Sequence, residues 1–310
     1  MRKLSIVIPV YNGESSIHKL VDQLFEHLES TYDLDIVLVN DFSPDNSWEV
    51  LKELHNKYPQ NIQAINLSRN FGEHNAVMAG YFHAKGEIIV NIDDDLQNPP
   101  SEIHKLVSKI DQGHEVVYTS YKQKKHHYFR NLGSKFTNAM ATLMLKKPKD
   151  LYLSSFRAIT AQLKNEIIKY KGPYPYIDGL ILRNTARIGV QEVIHHTRES
   201  GESNYTLVKL LRLWSYMFLN FSVYPLRVAS LFGTAFALLG FTGAIFVIIE
   251  KIFYPETQIG WSSLIISITL FSGIQLIILG LLGEYIGRVF LTQNQIPQYT
   301  IYEKLGNHSD

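Results

Sequence analysis

The residues with the clearest chemical potential are three adjacent carboxylates, Asp93, Asp94 and Asp95. Carboxylates this close repel one another, so the cluster is unfavourable unless a cation neutralises it. Their oxygen atoms suit Mg²⁺ or Mn²⁺, and such ions commonly keep coordination positions open for substrate phosphates. Asp93 and Asp95 project to the same side of an extended segment, so both could face one metal–diphosphate unit. A solvated acidic turn is the alternative, and the position of the cluster decides between the two.

The elements that must position this cluster alternate between strands and helices. Apolar strands are predicted at LSIVIPVY, LDIVLVN, IQAINL and GEIIVNID. Helical patterns between them run from Ile17 to Leu28, around Trp48–Leu54 and from Ala76 to Ala84. Because the strands are continuously apolar, they indicate an α/β domain with a mostly parallel sheet that helices cover on both faces.

Polar residues follow the end of every predicted strand. Asn12 follows the first strand, Asp41 the second, Arg69 the third and Asp93–Asp95 the fourth. Ligands of open α/β sheets bind beyond the carboxyl ends of the strands. The repeated placement therefore predicts a ligand site at this edge and assigns the acidic cluster to it.

Two long stretches without charge lie in the last third of the chain. Residues 228–249 form one of 22 residues, and residues 257–283 form another of 27. At 1.5 Å per residue the shorter stretch spans about 33 Å, enough for a hydrocarbon core of about 30 Å. Two buried helices of a soluble domain are the alternative. Pro255 in the short linker favours a transmembrane hairpin.

The distribution of basic residues predicts the orientation of this hairpin. The loop between the two spans carries only Lys251. Basic residues concentrate on the outer flanks of the spans, namely Lys209, Arg212, Arg227, Arg288 and Lys304. The positive-inside rule then places both termini and the large domain in the cytoplasm, as a multi-pass protein of the inner (plasma) membrane.

The resulting domain organisation has four parts. We expect a cytoplasmic catalytic domain over residues 1–204 and an amphipathic helix at the membrane interface over residues 205–225. Two transmembrane helices, at about 227–250 and 260–284, follow within residues 226–290, and residues 291–310 form a cytoplasmic tail. The interfacial helix is predicted from apolar residues that recur at helical spacing, with basic residues between them. An ordinary amphipathic core helix is its alternative.

Composition excludes several kinds of function. The 310 residues include 30 basic and 29 acidic ones, for a net charge of +1, which argues against a nucleic-acid-coating protein. The chain has no cysteine, so disulfides, thiolate chemistry and zinc–thiolate sites are excluded.

Four motifs, in this order, carry a family resemblance: IPVYN, VNDFSPDNS, LSRNFGEHNAVMAG and IDDDLQNPP. They resemble the family-2 glycosyltransferases of GT-A fold. More narrowly, the chain is similar to the polyisoprenyl-phosphate glycosyltransferases, which include dolichol-phosphate mannose synthases and bactoprenol glucosyltransferases. The resemblance covers nearly the whole chain. It implies a Rossmann-like GT-A domain that, with Mg²⁺ or Mn²⁺, transfers a sugar from a nucleotide-sugar, UDP-linked rather than GDP-linked, to polyprenyl (undecaprenyl) phosphate with inversion.

The resemblance also implies roles on the donor side. The nucleotide-sugar ligands would be Pro9, Tyr11, Glu14, Asp41, Asp93, Asp94, Gln97 and Ser203. Asp93, Asp95 and Gln97 match a D-x-D-x-Q pattern of metal and diphosphate ligands, and Asp95 and Arg198 are expected to act in catalysis. Several positions depart from the family pattern. On the donor side, Gly13 replaces the first Glu of Tyr-Asn-Glu-Glu, Asp94 stands where a small apolar residue is frequent, and Asn204 stands where many relatives carry Lys.

On the acceptor side, Arg130 and Ser134 match a pair that holds the lipid phosphate. Lys122 would add charge beside Tyr121, where relatives often carry an Arg. Asp178 occupies a position at which some glycosyltransferases have a catalytic base, and an acceptor-side or structural role is its alternative. A phosphate acceptor is largely a dianion at neutral pH, so positioning and neutralisation should matter more than a strong base.

Three functions stay open at the level of the sequence. The first is the lipid-phosphate glycosyltransferase, with a product that serves cell-envelope glycans. The second is a membrane glycosyltransferase of the same fold with another acceptor, such as diacylglycerol or a polysaccharide. The third is a non-catalytic membrane scaffold. Related membrane enzymes form tetramers, so the resemblance also allows a homo-oligomer.

Overall fold

The computed structural model describes residues 1–121, 147–148, 151–196, 224–253 and 260–306. The chain divides into two compact units. The first contains the sheet and includes the C-terminal residues from Gln295 onward, and the second is helical and ends at Asn294.

The first unit alternates strands and helices in the order that the sequence predicts. Its strands are β1 (Arg2–Val10), β2 (Tyr32–Asn40), β3 (Ile62–Leu67), β4 (Ile88–Asn91), β5 (Val116–Ser120), β6 (Arg157–Thr160), β7 (Ile188–Glu192) and β8 (Ile301–Leu305). Its helices are α1 (Ile17–Leu28), α2 (Ser47–Lys57), α3 (Glu73–His83), a 3₁₀ turn (Pro100–Glu102), α4 (Ile103–Asp111), α5 (Ala161–Ile167) and α6 (Ile177–Asn184).

The strands form one sheet in the order β7-β5-β6-β4-β1-β2-β3-β8. The pairs β1–β2, β1–β4, β2–β3 and β5–β7 are parallel, and the pairs that involve β6 or β8 are antiparallel. The predicted α/β class with a mostly parallel, helix-flanked sheet is confirmed. Since β4, β1 and β2 are neighbours, the loops that follow them leave the sheet side by side.

The hydrophobic pattern of the sequence explains this packing. The last seven residues of β1 and of β2 are all buried, as expected for strands covered on both faces. Helix α1 buries a stripe at helical spacing: Ile17, Leu20, Val21, Leu24 and Leu28. Each such side chain contributes about 1.5–3 kcal/mol when it leaves water.

The C-terminal segment differs from the tail that the sequence predicts. Residues Ile301–Leu305 form β8, which pairs antiparallel with β3 at the edge of the sheet. Trp48 Nε1 donates to Glu303 Oε2 at 3.1 Å, and Ser68 N donates to Thr300 O at 2.9 Å. A covered edge strand avoids exposed backbone groups, which is the physical reason for the pairing. A segment of five residues carries too little pattern to predict it.

The second unit contains two long helices, α7 (Tyr224–Phe253) and α8 (Trp261–Gln293). Both extend beyond the predicted spans, and Phe236 packs edge-on against Phe271 with ring centroids 6.4 Å apart. Among the described residues, the stretch Leu270–Gln293 is long and apolar enough to cross a membrane, and α7 contains a shorter apolar stretch, Ala229–Gly243. Many large apolar side chains on these helices are exposed, which is typical of lipid-facing surfaces.

Candidate active site

The acidic segment lies at the centre of the carboxyl edge of the sheet. Asn91 ends β4 and pairs with Val7 of β1, while Val10 at the end of β1 pairs with Asn40 of β2. Residues 92–97 (the acidic loop), residues 11–16 (the β1 loop) and residues 41–46 (the β2 loop) therefore start from three adjacent strands. The structure brings together the polar residues that the sequence assigned to this edge.

The three carboxylates of the acidic loop have different partners. Asp93 accepts a short hydrogen bond from the Ser155 hydroxyl, just before β6. Asp94 Oδ2 accepts from Tyr11 N at 3.1 Å, and Asp95 Oδ1 accepts from Gln97 N at 3.2 Å. Asp93 and Asp94 thus contact two neighbouring segments, and Asp95 bonds within the acidic loop.

The electrostatic environment of Asp93 is unfavourable to its charge. The pKa of Asp93 is raised to about 7, first by burial and then by the nearby carboxylates Glu73 and Asp95, while the Ser155 hydroxyl and Arg157 lower it. The pKa of Glu73 is raised as well, first by desolvation, then by Asp178, Asp41 and Asp95 and against the effect of Arg157. The cluster therefore concentrates negative charge that a cation would relieve.

Glu73 is a site residue that the sequence reasoning missed. Its side chain is exposed, yet desolvation raises its pKa, a combination typical of a carboxyl inside a concave cleft. It occupies the first position of α3, after Gly72 with φ of 91°. A glycine followed by an acid at a helix start is the signal that could have identified it, because acids favour the first turn.

The β1 loop uses four consecutive backbone amides to bind side chains. The amides of residues 11, 12, 13 and 14 donate to Asp94 Oδ2, Ser43 Oγ, Ser47 Oγ and Asp45 Oδ2 at distances between 2.9 and 3.2 Å. The carbonyl of Gly13 accepts from Ser16 N and Ile17 N and so begins α1. The loop is therefore held from both of its neighbours and is preorganised.

Left-handed backbone conformations mark all three loops. Asn12, Phe42 and Leu96 have φ values of 59°, 55° and 59°. A non-glycine residue in this region costs about 1–3 kcal/mol and persists where its surroundings fix it, which occurs preferentially at functional sites. In each of the three loops, this conformation turns the backbone sharply after the strand ends.

Asp41 joins the β2 loop to the start of α3. Its Oδ1 accepts from Phe71 N at 2.7 Å and its Oδ2 accepts from Gly72 N at 2.9 Å. Burial raises the pKa of Asp41 to about 6, although the two amide bonds lower it. A carboxylate has about four acceptor positions, so Asp41 keeps capacity for a ligand hydroxyl or N–H.

Three further residues predicted to contact the nucleotide belong to β1 and its loop, and two of them have structural contacts. Glu14 accepts from Asn46 N and Asn46 Nδ2, each at 3.1 Å, at the start of α2. Pro9 is buried within β1, where it pairs with Val39. Tyr11, by contrast, exposes about half of its surface (49%) beside the acidic loop.

A buried ion pair lies beneath the acidic loop. The guanidinium of Arg157 forms a short contact with Asp178 Oδ1, which also accepts from the Tyr118 hydroxyl at 2.9 Å. Burial lowers the pKa of Arg157, but the effect of Asp178 and two tyrosines is larger and raises it. The predicted base therefore contacts a permanent cation and a hydroxyl.

Unsatisfied polar atoms surround this ion pair. In the part of the chain that the structure describes, His74 Nδ1, Asn75 Oδ1, Asn91 Oδ1 and Arg157 Nε are buried without a hydrogen-bond partner. Burial lowers the pKa of His74 to about 4, so the ring is neutral at pH 7. Buried polar groups are normally bonded, and orphaned ones at a functional edge indicate partners such as ligand or water.

Tyr121 and His196 bring two further segments to the acidic loop. The Tyr121 hydroxyl donates to Asn98 Oδ1 at 3.0 Å, and its ring lies 4.3 Å from that of His195, centroid to centroid. His196 N donates to Gln97 O at 2.8 Å. Five predicted site residues lie outside the described residues: Lys122, Arg130, Ser134, Arg198 and Ser203.

The chemistry of the acidic loop fits a divalent cation. Asp93 and Asp95 supply carboxylate oxygens, and burial together with the neighbouring acids Glu73 and Asp95 raises the pKa of Asp93. Within the described ranges, no group of three histidine or acidic side chains forms a complete cation site. Two carboxylates would leave positions for substrate phosphates and water, the arrangement that Mg²⁺ usually adopts.

Comparison with known proteins agrees with this geometry. Residues 5–168 match the family described as glycosyl transferase family 2. The chain is 35% identical to the undecaprenyl-phosphate 4-deoxy-4-formamido-L-arabinose transferase of Proteus mirabilis, over 99% of this chain and 95% of that protein. It is 36% identical to the transferase of the same name from an Enterobacter species, over 97% and 93%.

The fold also resembles a solved structure. Glucosyl-3-phosphoglycerate synthase from Mycobacterium tuberculosis, solved with Mn²⁺, UDP and phosphoglyceric acid, superposes with a TM-score of 0.51. The two proteins are 17% identical, and the match covers 70% of this chain and 78% of that one. The likeness shows a shared GT-A fold.

Proposed function

The chain belongs to glycosyltransferase family 2, and we propose that it transfers a sugar from a UDP-sugar to a polyprenyl phosphate at the cytoplasmic membrane face. The predicted family membership is confirmed by the match over residues 5–168. The observation that carries the acceptor is the 35–36% identity to undecaprenyl-phosphate transferases along nearly the entire chain, including both long helices.

The donor half of the site lies on the three loops at the centre of the sheet edge. Asp41 and the β1 loop, with Tyr11, would bind the nucleoside. Asp93, Asp95 and Gln97 would face the diphosphate with Mg²⁺ or Mn²⁺, which supplies Lewis acidity and offsets negative charge on the leaving group. The preorganised loop amides reduce the ordering cost of binding.

The acceptor half is proposed from the resemblance. Arg130, Ser134 and Lys122 would hold the lipid phosphate. Arg198 and Ser203 would cover the donor phosphates, and the described chain that precedes them ends at His196, bonded to Gln97 of the acidic loop. The acceptor phosphate attacks the anomeric carbon as a dianion, so the chain must position and neutralise it rather than deprotonate it.

Asp178 fits a positioning role better than that of a base. Its Oδ1 is shared by Arg157 and Tyr118, and the carboxylate is buried. A base for a hydroxyl acceptor must be free to take a proton within hydrogen-bond reach of it. We propose that Asp178 fixes Arg157 below the acidic loop.

The membrane topology is proposed from the chain path. Strand β8 returns to the sheet that contains β1, although α7 and α8 lie between them in the sequence. Because one sheet cannot lie on both sides of a bilayer, the chain must cross it an even number of times. Two crossings, by α7 and α8, satisfy this condition and place both termini with the catalytic domain.

The domain boundaries are those that the sequence predicts. We propose a catalytic domain over residues 1–204, an interfacial helix over 205–225 and two membrane helices within 226–290. Residues 291–310 then rejoin the catalytic domain through β8.

The test uses the full chain purified in detergent, undecaprenyl phosphate and a panel of UDP- and GDP-sugars. Lipid products are read by mass spectrometry, with Mn²⁺, with Mg²⁺ or with EDTA. Asp95→Asn serves as the inactive variant. Asp33→Asn serves as the matched control, because it changes an exposed acid near the amino end of β2, at the end of the strand away from the proposed site.

A metal-dependent glycosyl-phosphoryl-polyprenol, absent with Asp95→Asn and present with Asp33→Asn, is the expected result and identifies the sugar. Donor binding without modification of the lipid would overturn the assignment of polyprenyl phosphate as the acceptor. Diacylglycerol or polysaccharide would then be tested as the acceptor. Absence of nucleotide binding would overturn the assignment of a nucleotide-sugar donor.

A further inference from the structure

Gly13 and Asp94, two of the residues that depart from the family pattern, meet in the structure. Asp94 Oδ2 accepts a hydrogen bond from Tyr11 N at 3.1 Å. A Cβ atom at position 13 would lie 2.6 Å from the same oxygen and 2.8 Å from Val10 Cγ1. Any other residue at position 13 would force the carboxylate or the loop to move, so the two departures depend on each other.

The contact joins two loops that have different parts in the site. Of the four acceptors that hold amides 11–14, three come from residues 43–47. Asp94 alone comes from the acidic loop. Its neighbour Asp93 accepts instead from the Ser155 hydroxyl, just before β6. One short loop therefore holds the β1 loop and also carries the carboxylates proposed to bind the metal.

We propose that Asp94 is a positioning residue that couples the nucleoside-binding β1 loop to the metal-binding carboxylates, and that Gly13 is present to admit it. The inference rests on the proposed function. The two loops would bind opposite ends of one nucleotide diphosphate, so a β1 loop that Asp94 no longer holds in place would bind the nucleoside end less tightly.

The inference predicts a difference between two substitutions of one residue. Asp94→Asn keeps an oxygen that can accept from Tyr11 N, whereas Asp94→Ala removes it. If Asp94 were itself a metal ligand, loss of the charge in Asp94→Asn would weaken Mn²⁺ binding as much as loss of the side chain. A positioning role predicts that the amide substitutes for the acid.

The experiment measures UDP affinity by calorimetry at saturating Mn²⁺, and half-saturation by Mn²⁺ at saturating UDP, on the full chain in detergent. We expect Asp94→Ala to weaken UDP binding about 10-fold, the equivalent of one lost hydrogen bond. Asp94→Asn and the control Asp33→Ala should stay close to the wild type. Half-saturation by Mn²⁺ should change less than about 2-fold in each variant. In turnover assays, Asp94→Ala should raise the donor KM and leave kcat nearly unchanged.

Gly13→Ala tests the other side of the contact. It should weaken UDP binding as Asp94→Ala does, because the added methyl displaces the carboxylate. The double variant already lacks the carboxylate. Its loss of UDP affinity should therefore be smaller than the product of the losses in the two single variants. The contact of the added methyl with Val10 Cγ1 is present in both Gly13→Ala and the double variant. If Gly13→Ala does not fold, the pair of Asp94 variants carries the test.

Three results would overturn the inference. If Asp94→Ala binds UDP with wild-type affinity, the contact between Asp94 and Tyr11 N is dispensable. An equal loss in Asp94→Asn and Asp94→Ala, with weaker Mn²⁺ binding, shows a metal ligand instead. Multiplicative losses in the double variant show that the two residues are independent. A wild-type chain that binds no UDP would instead overturn the donor assignment on which the inference rests.

Discussion

Arg157 and Asp178 form a buried ion pair that lies in the active-site cleft and yet resembles a structural element. Arg157 is on β6, directly opposite Asn91 of β4, and Asp178 is in the first turn of α6. The pair thus connects α6 with β6, the strand that pairs with the acidic-loop strand β4. Removing one partner of a buried pair leaves an uncompensated charge, which commonly costs about 3–5 kcal/mol.

The ion pair gives a prediction about stability. Asp178→Asn should lower the free energy of unfolding by about 3 kcal/mol, since Arg157 loses its counter-charge but keeps an acceptor. The unfolding temperature should fall by roughly 6–12 °C for a domain of this size. Tyr118→Phe is the matched control, because it removes one hydrogen bond to Asp178 and should cost about 1 kcal/mol. A variant with wild-type stability and no turnover would restore Asp178 as a catalytic base.

The acidic loop gives a prediction about metal dependence. Asp95→Asn and Asp93→Asn should each weaken Mn²⁺-supported UDP binding by more than about 100-fold, because changes even to groups behind metal ligands cost about 10–100-fold. Calorimetry with and without EDTA measures this effect. Asp33→Asn should bind UDP as the wild type does. Equal UDP affinity with Mn²⁺ and with EDTA in the wild type would contradict the proposed metal.

Asp41 gives a pH dependence with a defined sign. Its pKa is about 6 in the folded protein and about 3.9 in an unfolded chain, so the folded state binds more protons between these values. The contribution of Asp41 to the free energy of unfolding therefore falls as pH rises from about 4 to about 6, and it is constant above that range.

The comparison of the wild type with Asp41→Asn isolates this contribution. The unfolding temperature of the variant, relative to the wild type, should rise from pH 4 to pH 6 and then level off. Thermal unfolding at half-unit pH steps measures the difference. Parallel curves over the whole range would show that the pKa of Asp41 is not raised.

Much of this site could be predicted from short patterns, and the rest depends on long-range pairing. Continuously apolar strands place Asp41 and Asp93 at the same sheet edge, because the carboxyl ends of parallel strands coincide. No periodicity links Arg157 to Asp178 or β8 to β3, since these contacts depend on antiparallel pairings between distant segments. Glu73 was missed for a smaller reason: α3 starts three residues before the predicted Ala76, which brings its acid into the cleft.

The absence of cysteine from the sequence makes the topology directly testable. Single cysteines can be introduced at Lys57 and Tyr302 in the catalytic domain and at Glu256 between the two proposed membrane helices. Tyr302 is 76% exposed on β8, so a thiol there is accessible without disturbing the sheet. We expect a membrane-impermeant maleimide to label only the position 256 variant in intact cells. The other two should be labelled only after permeabilisation, because β8 returns the chain to the side of β1. Labelling of position 302 but not position 57 in intact cells would contradict the two-crossing topology, since the two residues belong to one sheet-containing unit.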